Sequence, residues 1–439
     1  MSILAIAMDK AEIKKKVLEE IDRRADEVIA YATAIWKYPE LGFKEFKTAK
    51  LTESKYEEMG WKYEREIAIT GSKAYLKGDG SRPAVGIVGE LDALHIPIHP
   101  EAHPETGNIH ACGHHSQMAA MLGAGFGLDV VKEHLGGEVV MVTVPAEEYI
   151  EIDYRNGLRE EGKLEFFGGK QEFIRVGAMK DVDICLGSHS AMDMDELIGV
   201  GGSNNGFIGK LVNYIGKEAH AGGAPDKGIN ALNAAMLGLM GIHANRETFR
   251  EEDTIRVHPI ITKGGEIVNN VPADVKLESY VRGKTVDAIK DANRKVNNAL
   301  RAGAMAVGAE VEIVDRPGYM PYTRDPNLEK VLVAACEELV GKDQMKERGH
   351  STGSTDMGDY SCIMPTTSIG MSGTEGQGHS RHLKIVDPVK QYIWPAKALA
   401  VTVVDLLYDG AKEAKQVIES FTPTIERHEY VEFMRKLVD

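Results

Sequence analysis

The sequence predicts an α/β protein in which a mostly parallel sheet is flanked by helices and a smaller α+β domain is inserted into the chain. Three observations predict this architecture. Apolar, β-branched stretches alternate with helix-periodic stretches over about the first 200 residues, which is the pattern of parallel sheets with helical crossovers. A glycine-rich stretch then introduces a different order of elements. The first order resumes after about residue 326.

The composition is consistent with this class and excludes several functions. The chain has 439 residues, of which 43% are hydrophobic and 27% charged, and it is long enough for two domains. Its formal net charge of −15 repels phosphate backbones, so we expect no nucleic-acid partner. No apolar run approaches the roughly 20 residues that span a bilayer, so we expect no membrane partner.

The compartment follows from the start of the chain and from its cysteines. The first residues, MSILAIAMDK, lack the basic region that opens a signal peptide. The four cysteines form no CxxC pair, which favours reduced thiols and a cytoplasmic protein. They are Cys112, Cys185, Cys336 and Cys362.

The elements of the main domain are predicted in chain order. Residues 10–36 are charged and helix-periodic, and KYPELG ends that pattern. AVGIVGELDAL (84–94) predicts a buried strand that ends in acids, and residues 116–137 predict a helix that two glycines end. GEVVMVTVPAEE (137–148) and DVDICLGSHS (181–190) predict two more strands. Because functional side chains gather at the carboxyl ends of parallel strands, we expect one cluster there, formed by Asp92, Glu147, Glu148 and His189.

The inserted domain follows the stretch GVGGSNNG (199–206), which is a candidate hinge. RPGYMPYTRDP (316–326) is the candidate return. The order βαββαβ between them predicts helices on one face of an antiparallel sheet. We therefore assign residues 205–318 to the inserted domain, and residues 1–204 and 319–439 to the main domain. The predicted elements are a strand (207–217), a helix (229–246), two strands (254–262 and 275–282), a helix (285–308) and a strand (309–315).

The stretch HACGHH (110–115) places two good metal donors, Cys112 and His114, two residues apart, with a glycine that lets the turn tighten. The same residues could instead be a buried apolar cysteine and structural histidines, and the motif alone leaves both interpretations open. The wider pattern favours metal, because donor-type residues recur at strand ends and in glycine-rich loops outside the inserted segment. That set is Asp92, Cys112, His114, Glu147, Glu148, His189 and His379.

The adjacent pair Glu147 and Glu148 suggests how such a site would work. A metal would polarise a carbonyl and acidify a bound water, and the reaction would also need a base. Neighbouring side chains in extended backbone point in opposite directions, so the pair offers one ligand and one base. A solvated pair at the start of a loop is the alternative.

The motifs GELDALHIP, HACGHH, VPAEE, GSHS, AHAGGAPDKGINAL, GGEIVNNVPADVKLESYVRG and GQGHS occur in an order that resembles the M20 metallopeptidases, over about residues 10–410. The resemblance is to the amidohydrolase branch, which includes aminobenzoyl-glutamate, hippurate and plant indole-acetyl-amino-acid hydrolases. It implies a zinc-exopeptidase-like catalytic domain with an inserted dimerisation and lid domain. It also implies a metal-dependent amidohydrolase that cleaves N-acyl amino acids.

The resemblance implies a role for each motif residue. Two divalent ions, Zn or Mn, would be bound, and the thiolate would favour Zn by its softness. Glu147 would be the general base, and His220 would reach from the lid into the site of a partner subunit to stabilise the oxyanion. Asn270 and Arg282 would contact substrate, with Arg282 forking onto a carboxylate. The implied metal ligands are Cys112, His114, Glu148, His189 and His379.

Taken without the resemblance, Arg282 would be a surface strand residue and His220 a turn residue. The lid implies a homodimer, and a tetramer stays open. The sequence also departs from the family. His115 stands where the family has an acid, and Thr355 stands where it has a glutamate. We expect Asp92 to orient a ligand histidine and His115 either to shift metal preference or to hydrogen-bond near the ligands.

Two questions stay open at this stage. The extra segment 149–177 either covers the pocket mouth, lengthens an interface or is a surface excursion. The function is either that of an N-acyl amino acid amidohydrolase, that of a dipeptidase, aminopeptidase or N-deacetylase of the same fold, or that of a non-catalytic metal-binding relative. A degenerate relative would be expected to lose Glu147 or several ligands, and this chain keeps them. Arg282 favours substrates with a free carboxyl end, a dipeptide or an N-acyl amino acid.

Overall fold

The computed structural model describes residues 8–192 and 194–438. The chain forms two compact units. The first unit runs to Gly202 and also contains Thr323–Gly349 and Asp359–His428. The second unit contains Ser203–Tyr322 and His350–Gly358, together with the C-terminal residues from Glu429.

Helices and strands alternate along the first unit as predicted. The bounds of the elements of both units follow in chain order. The helices are α1 (Lys10–Arg23), α2 (Ala25–Lys37), α3 (Phe46–Met59), α4 (His114–Asp129), α5 (Ile152–Glu160), α6 (Gly169–Arg175), α7 (Ala231–Ala244), α8 (Val286–Val307), α9 (Pro326–Val340), α10 (Met357–Ser361), α11 (Trp394–Ser420, with non-helical backbone at 408–411) and α12 (Tyr430–Lys436). The strands are β1 (Lys62–Ile67), β2 (Gly71–Tyr75), β3 (Ala84–Glu90), β4 (Leu94–His95), β5 (Asn108–Ile109), β6 (Glu138–Val144), β7 (Ile184–Ser190), β8 (Ile198–Val200), β9 (Ser203–Asn204), β10 (Gly206–Ile215), β11 (Arg256–Val257), β12 (Ile260–Lys263), β13 (Asp274–Gly283), β14 (Glu310–Pro317), β15 (Met345–Glu347), β16 (His350–Ser351), β17 (Thr366–Met371), β18 (Thr374–Glu375) and β19 (Lys384–Ile385).

The main sheet of the first unit has eight strands in the order β1-β2-β6-β3-β7-β17-β8-β15. Its four central strands, β6, β3, β7 and β17, are parallel to one another. The antiparallel pairs lie towards the two ends of the sheet. Strands β3 and β6 are buried along their whole length, as expected for parallel strands with both faces covered. The predicted mostly parallel sheet with flanking helices is confirmed.

Helix α4 lies at the centre of the first unit. It is buried from His114 to Leu128 and packs against β3 and against helices α1, α2 and α11. Small residues permit this close packing on several sides. A Cβ atom at Gly125 would lie 2.7 Å from the Trp61 ring, which is closer than real side chains approach. The buried helix therefore fixes the position of its first residues, which belong to the HACGHH motif.

The second unit contains a five-stranded antiparallel sheet in which β10 lies between β13 and β14. Burial alternates along β13, as expected when one face of a sheet is covered. Helices α7 and α8 pack on each other and on β10 and β13. The predicted order βαββαβ is confirmed, except that the strand predicted at 254–262 is divided into β11 and β12.

Two predicted helices differ from those in the structure. The single helix predicted over 10–36 is two helices, with a break at Arg24. The guanidinium of Arg24 lies 3.4 Å from the centre of the Phe126 ring and donates to Glu27. The helix predicted over 116–137 begins at His114 and ends at Asp129, where two β-branched valines follow. No helix within residues 8–192 and 194–438 is long and apolar enough to cross a membrane.

Candidate metal centre

The chemistry of the first unit gathers at the carboxyl edge of its parallel strands. Strand β3 ends at Glu90, two residues before Asp92, and β6 ends just before Pro145. Strand β7 contains His189 one residue before its end. These three strands are neighbours in the sheet. The topology therefore brings together side chains that are about 100 residues apart in the sequence.

The HACGHH turn enters the same edge from the N-terminus of α4. Gly113 precedes the helix with φ 92°, a backbone conformation that glycine adopts readily. A Cβ atom at this position would collide with the Ser190 hydroxyl. Glycine therefore lets the chain turn between Cys112 and His114, so that both side chains reach the site.

His114 is held in one orientation by Asp92. Its Nδ1 atom lies 2.9 Å from the Asp92 carbonyl oxygen and 3.1 Å from the Asp92 Oδ1 atom. Among the described residues, its Nε2 atom makes no hydrogen bond although the ring is fully buried. A neutral imidazole that donates through Nδ1 presents Nε2 as an acceptor. Nε2 is thus the nitrogen available to a metal ion, as in metal-binding histidines whose other nitrogen is hydrogen-bonded, and it faces the carboxylates of Glu90 and Glu147 at 3.2 and 3.7 Å.

Cys112 and His189 form the next part of the cluster. The Sγ atom of Cys112 lies 3.4 Å from the Nε2 atom of His189. The Nδ1 atom of His189 lies 2.9 Å from the carbonyl oxygen of Ser190. This contact fixes the ring with Nε2 facing the thiol.

Glu148 and His379 form the other side of the cluster. The Oε1 atom of Glu148 lies 3.1 Å from the Nε2 atom of His379. His379 has a φ of 57°, and its backbone N–H donates to the carbonyl oxygen of Ala111 at 2.9 Å. The GQGHS loop is thereby attached to the residue just before Cys112. Glu148 is buried, whereas His379 is exposed.

These side chains form sets that fit metal ions. Cys112, His114 and His189 offer donor atoms that all lie within 4.8 Å of one another, and so do Cys112, Glu148 and His379. Cys112 belongs to both sets. Thiolate, imidazole and carboxylate are the donors of protein zinc sites. Each set could hold a divalent cation, and Cys112 would be a donor common to both.

The positive and negative groups of the cluster stabilise one another in their charged forms. Burial and the Glu148 carboxylate oppose ionisation of Cys112, yet the neighbouring His114 and His189 hold its pKa well below the usual value. Burial also opposes charge on His114, but the nearby anionic groups, Cys112 first, raise its pKa well above the usual value. The Glu148 carboxylate raises the pKa of His379. Divalent cations would take the place of these protons as the source of positive charge.

Three predicted site residues lie in the second unit. An isolated antiparallel bridge pairs His220 with Asn270. The His220 Nδ1 atom accepts from the backbone N–H groups of Gly222 and Gly223, at 3.2 and 2.9 Å. A neutral ring with an accepting Nδ1 carries its proton on Nε2. The exposed His220 side chain is therefore oriented as a donor through Nε2.

Arg282 lies on β13 in the same unit. Its Nε atom donates to the Nε2 atom of His258 at 3.1 Å, and its guanidinium lies 5.4 Å from the ring centres of both Phe207 and Tyr280. Burial, with the Arg282 charge second, lowers the pKa of His258. The aromatic and imidazole groups hold the guanidinium in a defined position.

Comparison with known proteins identifies the family. Residues 86–403 match the model of peptidase family M20/M25/M40. The chain belongs to this family. The predicted resemblance is confirmed, and the chain is a metallohydrolase of the M20/M25/M40 family, which acts on peptide and amide bonds. The alternative of a non-catalytic relative is not supported.

The M20/M25/M40 chain is similar to characterised relatives over most of its length. It is 26% identical over 430 residues to the Xaa-Arg dipeptidase of Mus musculus, and the match covers 91% of this chain and 90% of the relative. It is 26% identical over 433 residues to the IAA-amino acid hydrolase ILR1-like 2 of Arabidopsis thaliana, which covers 95% of this chain and 93% of the relative. The crystal structure of the Bacillus subtilis YXEP protein, described as a dinuclear metal binding peptidase from the M20 family, matches with a TM-score of 0.66 and 21% identity, over 88% of this chain and 99% of that chain.

His115, where this M20/M25/M40 chain departs from the motif, lies in an aromatic pocket. Its ring centre is 4.8 Å from that of Trp36, and its Nε2 atom is 3.2 Å from the Tyr392 hydroxyl oxygen. Burial first, and then the neighbouring histidines, hold its pKa well below the usual value. His115 is therefore a neutral ring.

The extra segment 149–177 is packed into the first unit, so it is not a surface excursion. Phe166, Phe167 and Phe173 are buried. Arg155 is fully buried and donates to the carbonyl oxygens of Phe167 and Glu148. The segment thus supports the chain directly at a candidate metal donor.

Sequence reasoning missed a buried carboxylate in the site. Glu90 forms a third group of close donors with His114 and Glu147. Its carboxylate contacts the fully buried Lys170 and Gln117. Glu90 could have been found by the same strand-end argument as Asp92, because GELD places both after the apolar run. Lys170 carries no such signal, since it lies in a segment without any strand-end or ligand pattern.

Proposed function

We propose that the chain is a metal-dependent amidohydrolase that cleaves the amide bond of N-acyl amino acids, releasing a carboxylic acid and an amino acid. The observation that carries the proposal is the pair of donor groups that share Cys112, with Glu147 beside them. The proposed ions are Zn or Mn, bound by Cys112, His114, Glu148, His189 and His379. When bound, two such ions supply Lewis-acid polarisation of the scissile carbonyl and acidify a water molecule.

Glu147 is the proposed general base. Its Oε2 atom lies 3.7 Å from the Nε2 atom of His114, so the carboxylate lies beside the donors. It takes the proton of the attacking water and later gives that proton to the leaving amine, which balances the proton within one turnover. Asp92 keeps His114 in place through Nδ1.

His220 of the partner subunit is proposed to donate its Nε2 proton to the oxyanion of the tetrahedral intermediate. The two backbone N–H groups on Nδ1 support this role, because they favour the tautomer that donates through Nε2. This step requires a homodimer. Exposed apolar side chains on α7 and β12 offer a surface for it, including Met236, Met240 and Ile260.

Arg282 is the proposed site for the free carboxylate of the substrate, with Asn270 as a second contact. A guanidinium can bind a carboxylate through two parallel hydrogen bonds. Two relatives have names that fit a substrate of this kind, an IAA-amino acid hydrolase and an Xaa-Arg dipeptidase. The name Xaa-Arg dipeptidase supports dipeptide hydrolysis as the second candidate function.

The test is hydrolysis of a panel of substrates by metal-stripped protein reloaded with Zn, Mn or Co. The panel contains aminobenzoyl-glutamate, hippurate, N-acetyl amino acids, indole-acetyl amino acids and dipeptides. We expect metal-dependent release of the amino acid, and a kcat for Glu147→Gln that is about 10²- to 10⁴-fold lower. Glu160→Gln, an exposed glutamate at the end of α5, is the matched control and should keep full activity.

The substrate profile separates the two candidates. Preference for N-acyl amino acids over dipeptides supports the first, and the reverse preference supports the second. Full activity of Glu147→Gln would refute the proposed base. Sedimentation analysis of wild type and Met240→Glu tests the dimer, which the added charge should dissociate.

A further inference from the structure

Glu90 and Lys170 form a buried ion pair next to the candidate metal centre. The Lys170 ammonium lies 2.6 Å from the Glu90 Oε1 atom, and the lysine and glutamate side chains are 0% and 3% exposed. Gln117 donates to the other oxygen, Oε2, at 2.6 Å. Removing two charges from water is costly, and a buried ion pair adds little net stability. The pair therefore calls for an explanation other than stability.

The free side of the Glu90 carboxylate faces His114. The Oε2 atom lies 3.2 Å from the Nε2 atom of His114. That nitrogen is the one that Asp92 leaves available, because Asp92 contacts Nδ1. Two nitrogen or oxygen donors of one tetrahedral zinc ion, each at about 2.0–2.2 Å from the metal, lie about 3.3–3.5 Å apart. The observed separation is close to that value.

We propose that Glu90 Oε2 is a further ligand of the ion bound by His114, that Gln117 orients this carboxylate, and that Lys170 balances its buried charge. The inference rests on the proposed metal centre and adds a donor to it. Each oxygen of Glu90 then has a separate task. Oε1 is fixed by the ammonium, and Oε2 is directed at the metal with Gln117 on its remaining lone pair.

Lys170 would also balance the charge of Glu90 in metal-stripped protein. In the metal-free protein its ammonium is the nearest positive charge to Glu90, and it compensates the buried carboxylate. When a metal ion binds to Oε2, the Glu90 carboxylate has two cationic partners. The ammonium and the metal ion then compete for the negative charge of the carboxylate. Removing Lys170 should therefore destabilise the metal-free protein and leave metal affinity equal or higher.

The experiment compares metal binding by the full chain and four variants. Metal-stripped protein is titrated with Zn²⁺ in competition with a chromophoric chelator, which gives a dissociation constant for each of two ions. The variants are Glu90→Gln, Lys170→Met and the double variant that carries both changes. The double variant removes both charges of the pair, so it keeps the test valid if Glu90→Gln does not fold. Glu138→Gln is the matched control, because Glu138 is an equally buried carboxylate at the amino end of β6, where it accepts from the backbone N–H groups of Lys77 and Gly78.

We expect wild type and Glu138→Gln to bind two ions with the same affinities. In the double variant one ion should bind at least tenfold more weakly, and the other within threefold of wild type. Lys170→Met should bind both ions at least as tightly as wild type, and zinc should raise its midpoint temperature of unfolding by more than it raises that of wild type. The cobalt-substituted double variant should have altered d–d absorption bands, because loss of a ligand changes the coordination of one ion.

Two outcomes would overturn the inference in different ways. If the double variant bound both ions within tenfold of wild type, or kept the cobalt spectrum of wild type, Glu90 would be only the ion-pair partner of Lys170, and the metal centre would stand. If wild type bound fewer than two ions, the proposed two-ion centre itself would be wrong, and the added ligand with it.

Discussion

The Oδ1 atom of Asp92 lies 3.1 Å from the Nδ1 atom of His114, and the Oδ2 atom of the same carboxylate accepts a hydrogen bond from the backbone N–H of Glu148 at 2.8 Å. His114 and Glu148 belong to different donor groups. One buried carboxylate therefore links the two halves of the candidate metal centre. Neither contact uses the atoms that would face a metal.

The first prediction concerns this link. Asp92→Asn places an amide NH2 against one of the two donors that the carboxylate now accepts from, so one contact must be lost. We expect the affinity for at least one ion to fall by about 10- to 100-fold, the usual cost of losing a partner behind a ligand. Chelator competition measures it, with Asp79→Asn at an exposed turn as the control. Unchanged affinities for both ions would show that Asp92 does not orient the donors.

The second prediction follows from the shared thiol. Cys112 belongs to both donor groups, whereas His189 and His379 each belong to one. We expect Cys112→Ser to lower the affinity for both ions. His189→Ala and His379→Ala should each lower the affinity for a different ion. Metal content and the two dissociation constants measure this pattern. If Cys112→Ser affected a single ion, the thiol would not lie between them.

The part of the site that the sequence predicts is the part that topology determines. Asp92, Glu147 and His189 each follow or end a strand of the parallel sheet, and parallel strands share their carboxyl edge. Cys112 and His114 join them because α4 begins at that edge. No detail of side-chain packing is needed for this prediction, so an α/β pattern with donors at strand ends is sufficient.

The parts that could not be predicted depend on contacts between distant residues. Lys170 meets Glu90 across 80 positions of sequence, and Arg155 reaches the Glu148 carbonyl from within a segment that reads as a charged excursion. Arg24, at the break between α1 and α2, likewise contacts a distant residue, the ring of Phe126 on α4. Periodicity describes one element at a time and carries no information about such partners.

The third prediction concerns Arg155 as the support of the Glu148 loop. Arg155→Met keeps the apolar bulk and removes the two hydrogen bonds to the carbonyl oxygens of Phe167 and Glu148. The Glu148 carbonyl keeps the backbone N–H of Ile150, but two buried hydrogen bonds from a charged donor are lost, so we expect the free energy of unfolding to fall by about 2–4 kcal/mol. Urea unfolding measures the change. Arg159→Met on the exposed face of the same helix is the control, and equal losses in the two variants would contradict the proposed support.

The fourth prediction concerns pH and Glu45. Glu45 is fully buried, and its carboxylate accepts from the Thr70 hydroxyl and from the backbone N–H of Ala146, at the turn that leads into Glu147. Burial, with the charge of Asp92 second, raises the pKa of Glu45 to about 8. Between its unfolded pKa near 4.5 and this value, the folded protein holds a proton that the unfolded chain has released. The resulting stability is fully present below the unfolded pKa and is lost as pH rises through the folded pKa.

Glu45→Gln isolates this contribution, because a glutamine keeps the oxygen acceptor and stays neutral at every pH. We expect the free energy of unfolding of wild type, relative to that of the variant, to decrease from pH 5 to pH 8 by up to about 1.4 kcal/mol per pH unit. Urea unfolding of both proteins at equal metal content and at four pH values measures the difference, and the effects of titrating groups that do not interact with Glu45 cancel in it. Glu160→Gln should show no such trend. A difference that stayed constant across the range would mean that Glu45 has the same pKa in the folded and unfolded protein, and that the turn before Glu147 is held by a charged carboxylate.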